Sequence, residues 1–276
     1  MSSTLGPDLV FPQATSARQD VESQGMPTAN SMQLIPNTVS TGMEINHASL
    51  STCGAATGTV VVIDVIRAFT TASYAFAAGA SEIVLVSTVE EALALRERDP
   101  SALIMGEVNG FPVEGFDFGN SPSALIGRDL AGQHLIQRTS AGTQGAVRST
   151  RAEPLLASSF TCASATVRYL HRLSPPTITF VITGILLDWD GEEDMACAEY
   201  TAALLRGEAP DVAPYIKRVY ESQAGRCLTD PAAPAYLRAD LECCVAADLF
   251  DFAMVVERRD GLLVMQACRR SSDQHS

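Results

Sequence analysis

The sequence predicts an α/β fold, a three-layer α/β/α sandwich around a largely parallel, mixed sheet, and three observations predict it. Short apolar runs of strand length alternate with helical patterns through most of the chain, the order produced when helices cross between parallel strands. Two of the runs, Val60–Ile63 and Thr177–Ile182, are nearly continuous and β-branched, as strands covered on both faces are. A length of 276 residues with 46% hydrophobic content can bury a sizeable core.

Residues 1–40 are rich in Ser, Thr, Gln, Pro and Gly without periodicity and read as a disordered tail, leaving 41–270 as the folded domain. Met43–Leu50 reads as an edge strand. The apolar run Val60–Ile63 breaks at Asp64, and a small-residue helical pattern follows to Gly79. Glu82–Val86 is a second strand of the alternating unit, and Thr88 with Glu91 forms a capping box that opens a helix through Arg98. Ala102–Met105 is a further strand, leading to Gly106 and Glu107. Residues 108–122, dense in Gly, Phe, Asn and Pro, make a connection long enough to be a binding loop.

His134–Arg138 reads as a strand, and Thr139–Gly145 (TSAGTQG) as a Gly-rich turn opening a helix. Glu153–Ala157 is another strand, after which Ser159 is expected to cap a helix through Leu173. The strand Thr177–Ile182 ends at Thr183 and Gly184, and a helix starts between Asp190 and Glu193 and stops at Gly207. Helices are expected over 212–228 and 235–249, then a hairpin of Phe252–Glu257 and Leu262–Ala267 turned at Asp260-Gly261.

A formal charge of −13 argues against a nucleic-acid or anionic-membrane surface, so any phosphate site must be a local basic pocket. The seven cysteines contain no CxxC pair and no zinc-finger spacing; free thiols in a reducing cytoplasm are expected. No basic segment precedes an apolar run near residue 1, and no run approaches membrane-spanning length. The four histidines form no metal spacing.

Chemistry collects at strand ends. Asp64, Glu107, the pair Thr139-Ser140, the pair Ser158-Ser159 and Thr183 each follow a strand, and parallel strands would gather these ends along one rim. Asp64 and Glu107 are hard oxygen donors able to hold Mg²⁺ through few protein ligands, with Asp194 as a further candidate ligand. The acidic group Asp190, Glu192, Glu193 and Asp194 could supply metal ligands or a general base, with dipole complementation preferred for Glu192; helix capping by Asp64 and a solvated loop position for Glu107 are the other alternative roles. The turn Thr139–Gly145 has the composition of a phosphate cradle or of an ordinary Gly-rich turn, without the lysine of a Walker loop. Arg67 and Arg138 suit phosphate, carboxylate or sulfonate oxygens.

The stretches VVIDVIRAFTT (61–71), STVEEALAL (87–95), Gly106-Glu107, EGFDFGNSP (114–122), TSAGT (139–143), SSF (158–160), EDMACA (193–198) and AGR (224–226) occur in an order that resembles the 2-phosphosulfolactate phosphatase family. The segment GFDFGNSP is the most specific of them, because no common turn demands it. The resemblance implies a three-layer α/β/α fold and Mg²⁺-assisted hydrolysis of a phosphomonoester on a small acidic metabolite; a cytoplasmic location is expected from the free thiols, and a homodimer is compatible with the sequence. The resemblance also implies that Asp64 and Glu107 are metal or acid-base positions and Arg67 an anion contact. In the same way, Asn120 and Ser121 would shape the pocket, while Thr139, Ser140, Gly142 and Thr143, with Arg138 and Ser159 beside them, would hold phosphate.

The chain departs from the family pattern at Ala141, at Ile182-Thr183-Gly184 and at Cys162, positions that bear on the substrate more than on the chemistry. A haloacid-dehalogenase-like assignment would need its second Asp at Ile66 and is set aside. A non-catalytic anion-binding or regulatory protein on the same fold is the competing function.

Overall fold

The strands of this chain fall into two parallel sets that run in opposite directions, and a C-terminal hairpin joins them. The computed structural model describes residues 37–38, 43–184 and 189–269; the remainder of the 1–40 segment and residues 185–188, before Asp190, lie outside them. Eleven strands are described: β1 (Asn37–Thr38), β2 (Glu44–Ser49), β3 (Gly58–Ile63), β4 (Glu82–Val86), β5 (Leu103–Gly106), β6 (Phe118–Gly119), β7 (His134–Arg138), β8 (Ala152–Ser158), β9 (Thr177–Ile182), β10 (Phe252–Arg259) and β11 (Leu262–Arg269). The helices are α1 (Ala68–Ala77), α2 (Val89–Arg98), α3 (Gly142–Arg148), α4 (Ala163–Leu173), α5 (Glu192–Leu205), α6 (Ala213–Glu221), α7 (Gln223–Thr229) and α8 (Ala235–Cys244).

The sheet order is β1-β2-β9-β3-β8-β10-β11-β4-β7-β5-β6. Strands β2, β9, β3 and β8 are mutually parallel, as are β4, β7, β5 and β6. Between the sets, β10 pairs antiparallel with β8, and β11 antiparallel with β4. In a flat sheet the carboxyl ends of the two sets would lie on opposite edges. Five strand steps separate β3 from β7, and at roughly 20–25° of twist per step the second set is turned by roughly 100–125°. One core cluster accordingly contains Val60 and Val62 of β3, Ile83 and Leu85 of β4 and Leu135 of β7, together with Phe69, Ala72 and Phe76 of α1 and Ala146 of α3. The sheet therefore wraps α1 and α3.

The period of two in β3 decides what covers it. Val60 and Val62 face that inner cluster, whereas Val61 and Ile63 pack with Val167 and Leu170 of α4 and Ala198 and Leu205 of α5. On the other set, Val86, Ile104 and Ile136 pack with Ala92 of α2. The capping box is formed: Thr88 Oγ1 accepts from Glu91 N, and Glu91 Oε2 accepts from Thr88 N, both at 3.1 Å. Asp260 and Gly261 both have positive φ, +52° and +81°, as a two-residue turn matched to strand twist requires. The hairpin was expected from this turn; its place at the centre of the sheet was not.

Three helical boundaries differ from expectation. Residues 212–228 form two helices, because Ser222 takes an extended conformation and its Oγ accepts from Gly225 N, starting α7 afresh. A Cβ on Gly225 would stand 1.9 Å from Val219 O, so only glycine admits this corner. Helix α8 ends at Cys244, short of Leu249. Ser159 makes no side-chain cap; a 3₁₀ turn, Phe160–Cys162, precedes α4. No helix among the described residues is long and apolar enough to cross a membrane.

Candidate active site

Asp64 leaves the carboxyl end of β3 and is buried at 4% exposure. Its Oδ1 accepts from Ala68 N at 2.9 Å, so it does cap α1. Desolvation raises its pKa to about 6; donors from Ala68, Thr183 and Gly142 oppose the rise, and the nearby Glu107 charge adds to it. From the first turn of α5 come two more buried acids. Asp194 is held by three donors: Val65 N to Oδ1 at 2.7 Å, and Gly184 N and Thr183 Oγ1 to Oδ2 at 2.7 and 3.1 Å. Burial and then the charges of Glu193 and Asp64 push its pKa well above the carboxylate range.

Glu193 is raised to about 7, first by burial, with Asp64 and Asp190 contributing, and its buried Oε2 has no hydrogen-bond partner. Gly184 lets the two side chains of α5 come in: a Cβ there would stand 2.7 Å from Glu193 Oε1 and 3.2 Å from Asp194 Oδ2. None of Asp64, Glu193 and Asp194 has an ion-pair partner among the described residues. Three buried acids without a cation are electrostatically incomplete.

Glu107, at the end of β5, is also buried but fully engaged. Ser140 N donates to its Oε1 and Gly110 N to its Oε2, while Ser140 Oγ donates to Oε2 at 3.1 Å. Arg138 spends its guanidinium on the same corner, with Nη1 donating to Glu107 O at 2.7 Å and Nε to Ser87 O at 3.3 Å. The Gly-rich turn closes on itself: Thr139 N donates to Thr143 Oγ1 at 2.8 Å, and Thr143 N to Thr139 Oγ1 at 3.0 Å. Gly142 lies against the acids, since a Cβ would stand 2.8 Å from Asp64 Oδ2 and 2.7 Å from Ala68 Cβ. The glycine thus admits the Asp64 carboxylate.

Arg67 precedes α1, and its Nη1 donates to Asp240 Oδ2 at 2.8 Å. Asn120 is buried with its Oδ1 unpartnered, and Ser121 Oγ donates to Asp240 Oδ1 at 2.7 Å. Ser159 is buried away from these groups' contacts, sharing a hydrogen bond with Thr161 Oγ1 at 2.7 Å, which in turn meets Ser73 Oγ at 2.8 Å.

The structure therefore brings Asp64, Asp194, Glu107, Ser140 and Gly142 together and places Arg138, Thr139 and Thr143 in the scaffold around them. One residue was missed: Asp240 lies in an unremarkable helical stretch, and only packing reveals it. Glu193 was one of four acids around the start of α5 offered as metal ligands or a general base, and packing is what separates it from Glu192. Among the described residues no three His, Cys, Asp or Glu side chains form a metal-holding group; Asp64, Glu107 and Asp194 are neighbours but do not converge as a three-carboxylate set. The oxygens of Glu107 and Asp194 are taken by chain donors. The desolvated Asp64 and the unpartnered Glu193 Oε2 do fit a hard cation held by one or two carboxylates, with water and substrate completing its shell.

A family model described as 2-phosphosulpholactate phosphatase matches residues 46–259. A Bacillus subtilis protein named "Probable 2-phosphosulfolactate phosphatase" is 36% identical over 202 residues, covering 73% of this chain and 87% of that protein. A Thermotoga petrophila protein of the same name is 36% identical over 164 residues, covering 59% and 70% of the two chains.

Proposed function

The chain belongs to the 2-phosphosulpholactate phosphatase family, and from that premise we propose that it is a phosphoric monoester hydrolase acting, with Mg²⁺, on a phosphorylated small acid of the 2-phosphosulfolactate type. The observation that carries this reading is the cluster of buried carboxylates around Asp64, raised in pKa and without a cationic partner, facing a turn that only glycine at 142 permits. Structural acids are normally paired; unpaired ones at a strand end are the mark of a site built for an ion.

Asp64 and Glu193 would hold the Mg²⁺, which when bound polarises the phosphoryl group and spreads its charge. Asp194 fixes the backbone at Val65 and Gly184, and so orients Asp64 against α5. Glu107 fixes Ser140 and Gly110, setting the floor on which the phosphoryl oxygens rest. Arg67 supplies planar donors to the phosphoryl or acid group of the substrate. Asn120 is buried with its Oδ1 unpartnered, and its amide, which carries both an acceptor oxygen and a donor NH₂, suits a polar contact at the pocket wall.

Phosphate release from 2-phosphosulfolactate and 2-phospholactate, measured with Mg²⁺ and with chelator for wild type and Asp64→Asn, tests the reading. Turnover that needs Mg²⁺ and is lost in the folded variant is the expected result, and the ranking of the two esters identifies the acid group. Folded protein that binds these anions without turnover overturns it in favour of a non-catalytic anion-binding protein.

A further inference from the structure

Helix α8 contributes a fully buried acid to the neighbourhood of the site. Asp240 has 0% exposure, and its two oxygens face different elements. Oδ2 accepts from Arg67 Nη1 at 2.8 Å. Oδ1 accepts from Ser121 Oγ at 2.7 Å, Ser123 Oγ at 2.6 Å and Ser123 N at 3.1 Å. One carboxylate thereby ties the residue before α1 to the segment that follows Asn120, more than 50 positions away in the chain. The Arg67 side chain is itself only 11% exposed, so its orientation is fixed where the pair is desolvated.

We infer that Asp240 is a positioning residue, which orients the Arg67 guanidinium and the Asn120–Ser123 segment as one rigid anion-recognition unit. This rests on the phosphatase reading for the role of Arg67. Two physical points support it. A carboxylate with 0% exposure whose Oδ1 accepts three hydrogen bonds and whose Oδ2 meets Arg67 is enclosed by the chain, so Asp240 acts through its neighbours. A guanidinium neutralised by such a partner offers directed donors in place of free positive charge, and directed donors discriminate by geometry. The pair also joins two separate stretches of the chain, IDVIRA (63–68) through Arg67 and GFDFGNSP (115–122) through Ser121.

An amide at 240 can satisfy one side of this arrangement but not both, because its NH₂ would meet either Arg67 or the serine donors. In Asp240→Asn, kcat for 2-phospholactate hydrolysis with Mg²⁺ should fall on the order of 100-fold, the cost of a contact displaced by about 1 Å. KM should change by less than about threefold, a split that marks loss of orientation over loss of binding. In the Arg67→Ala/Asp240→Asn double variant the losses should not multiply, because Asp240 acts through Arg67. Wild-type kcat in folded Asp240→Asn, or losses that multiply, overturns the inference.

Should Asp240→Asn not fold, Ser123→Ala removes one donor to Oδ1 without uncovering a charge. It should lower kcat several-fold, and unchanged kcat overturns the inference. If the wild type hydrolyses no ester, the phosphatase reading has failed on its own. The coupling is then judged by calorimetric titration with inorganic phosphate, where the same failure to multiply is expected and independent effects overturn it.

Discussion

Asp64 and Glu107 occupy matching places, each the first acidic residue after a buried strand, yet their surroundings differ. Glu107 is enclosed by backbone N–H groups of Ser140 and Gly110 that complete its hydrogen bonding. Asp64 shares its space with Glu193 and Asp194, and burial raises its pKa to about 6. A buried acid enclosed by chain donors holds loops together, whereas Asp64, with donors on its carboxylate but no cationic partner, sits desolvated among like charges. The same contrast separates Asp240, paired with Arg67, from Glu193, whose Oε2 has no partner.

The largest expected effect breaks the comparison at Asp64. Asp64→Asn should reduce Mg²⁺-dependent phosphate release on the order of 10³-fold, since metal-assisted charge stabilisation is worth several kcal/mol. In metal-free protein the same variant should melt no lower than wild type at pH 8, because it removes one of the uncompensated charges. A lower Tm there would place Asp64 with the structural acids.

Gly142→Ala comes next. The new methyl meets Asp64 Oδ2 and Ala68 Cβ at 2.8 and 2.7 Å, which should destabilise the fold by about 1–3 kcal/mol and displace the carboxylate. A urea midpoint and kcat measured together should both fall; a loss of stability with full activity would mean the turn relaxes away from Asp64.

Glu107→Gln should show the opposite balance to Asp64→Asn. Its amide leaves a donor against Ser140 N or Gly110 N, costing about 1–3 kcal/mol. Denaturation should detect this more clearly than kinetics does.

The smallest effect is on pH. Asp64 and Glu193 have folded pKa values raised to about 6 and about 7, while unfolded carboxyls titrate near about 4. The folded chain therefore binds more protons than the unfolded chain between these limits. Metal-free stability should fall as pH rises from about 4 through about 7, with Mg²⁺ raising Tm most at the upper end. A cation competes with exactly those protons, so a Tm gain independent of pH would remove Asp64 and Glu193 from the ion's ligands.

Much of the site was legible because strand ends are legible. An apolar run that stops at Asp64 or at Gly106-Glu107 places the acid without any knowledge of neighbours. Arg138, Thr139 and Thr143 were legible as positions but not as roles, since a hydroxyl that can meet phosphate can equally meet an amide one turn away, as Thr139 and Thr143 do. Asp240 was not legible, and Glu193 was legible only as one of four neighbouring acids, because a helical acid facing solvent and one facing a buried corner have the same local sequence.

Local sequence by itself determined the alternation of strands and helices, the capping box at Thr88, the Asp260-Gly261 turn and the acids at the strand ends, all of which depend on neighbours within a few residues. Tertiary structure alone decided that the C-terminal hairpin enters the middle of the sheet and reverses the second parallel set. The pairing of this hairpin with β8 and β4 joins residues 97 to 182 positions apart, contacts that leave no periodic trace in the chain. The twist of that sheet is what brings Asp64 of one set to Glu107 of the other.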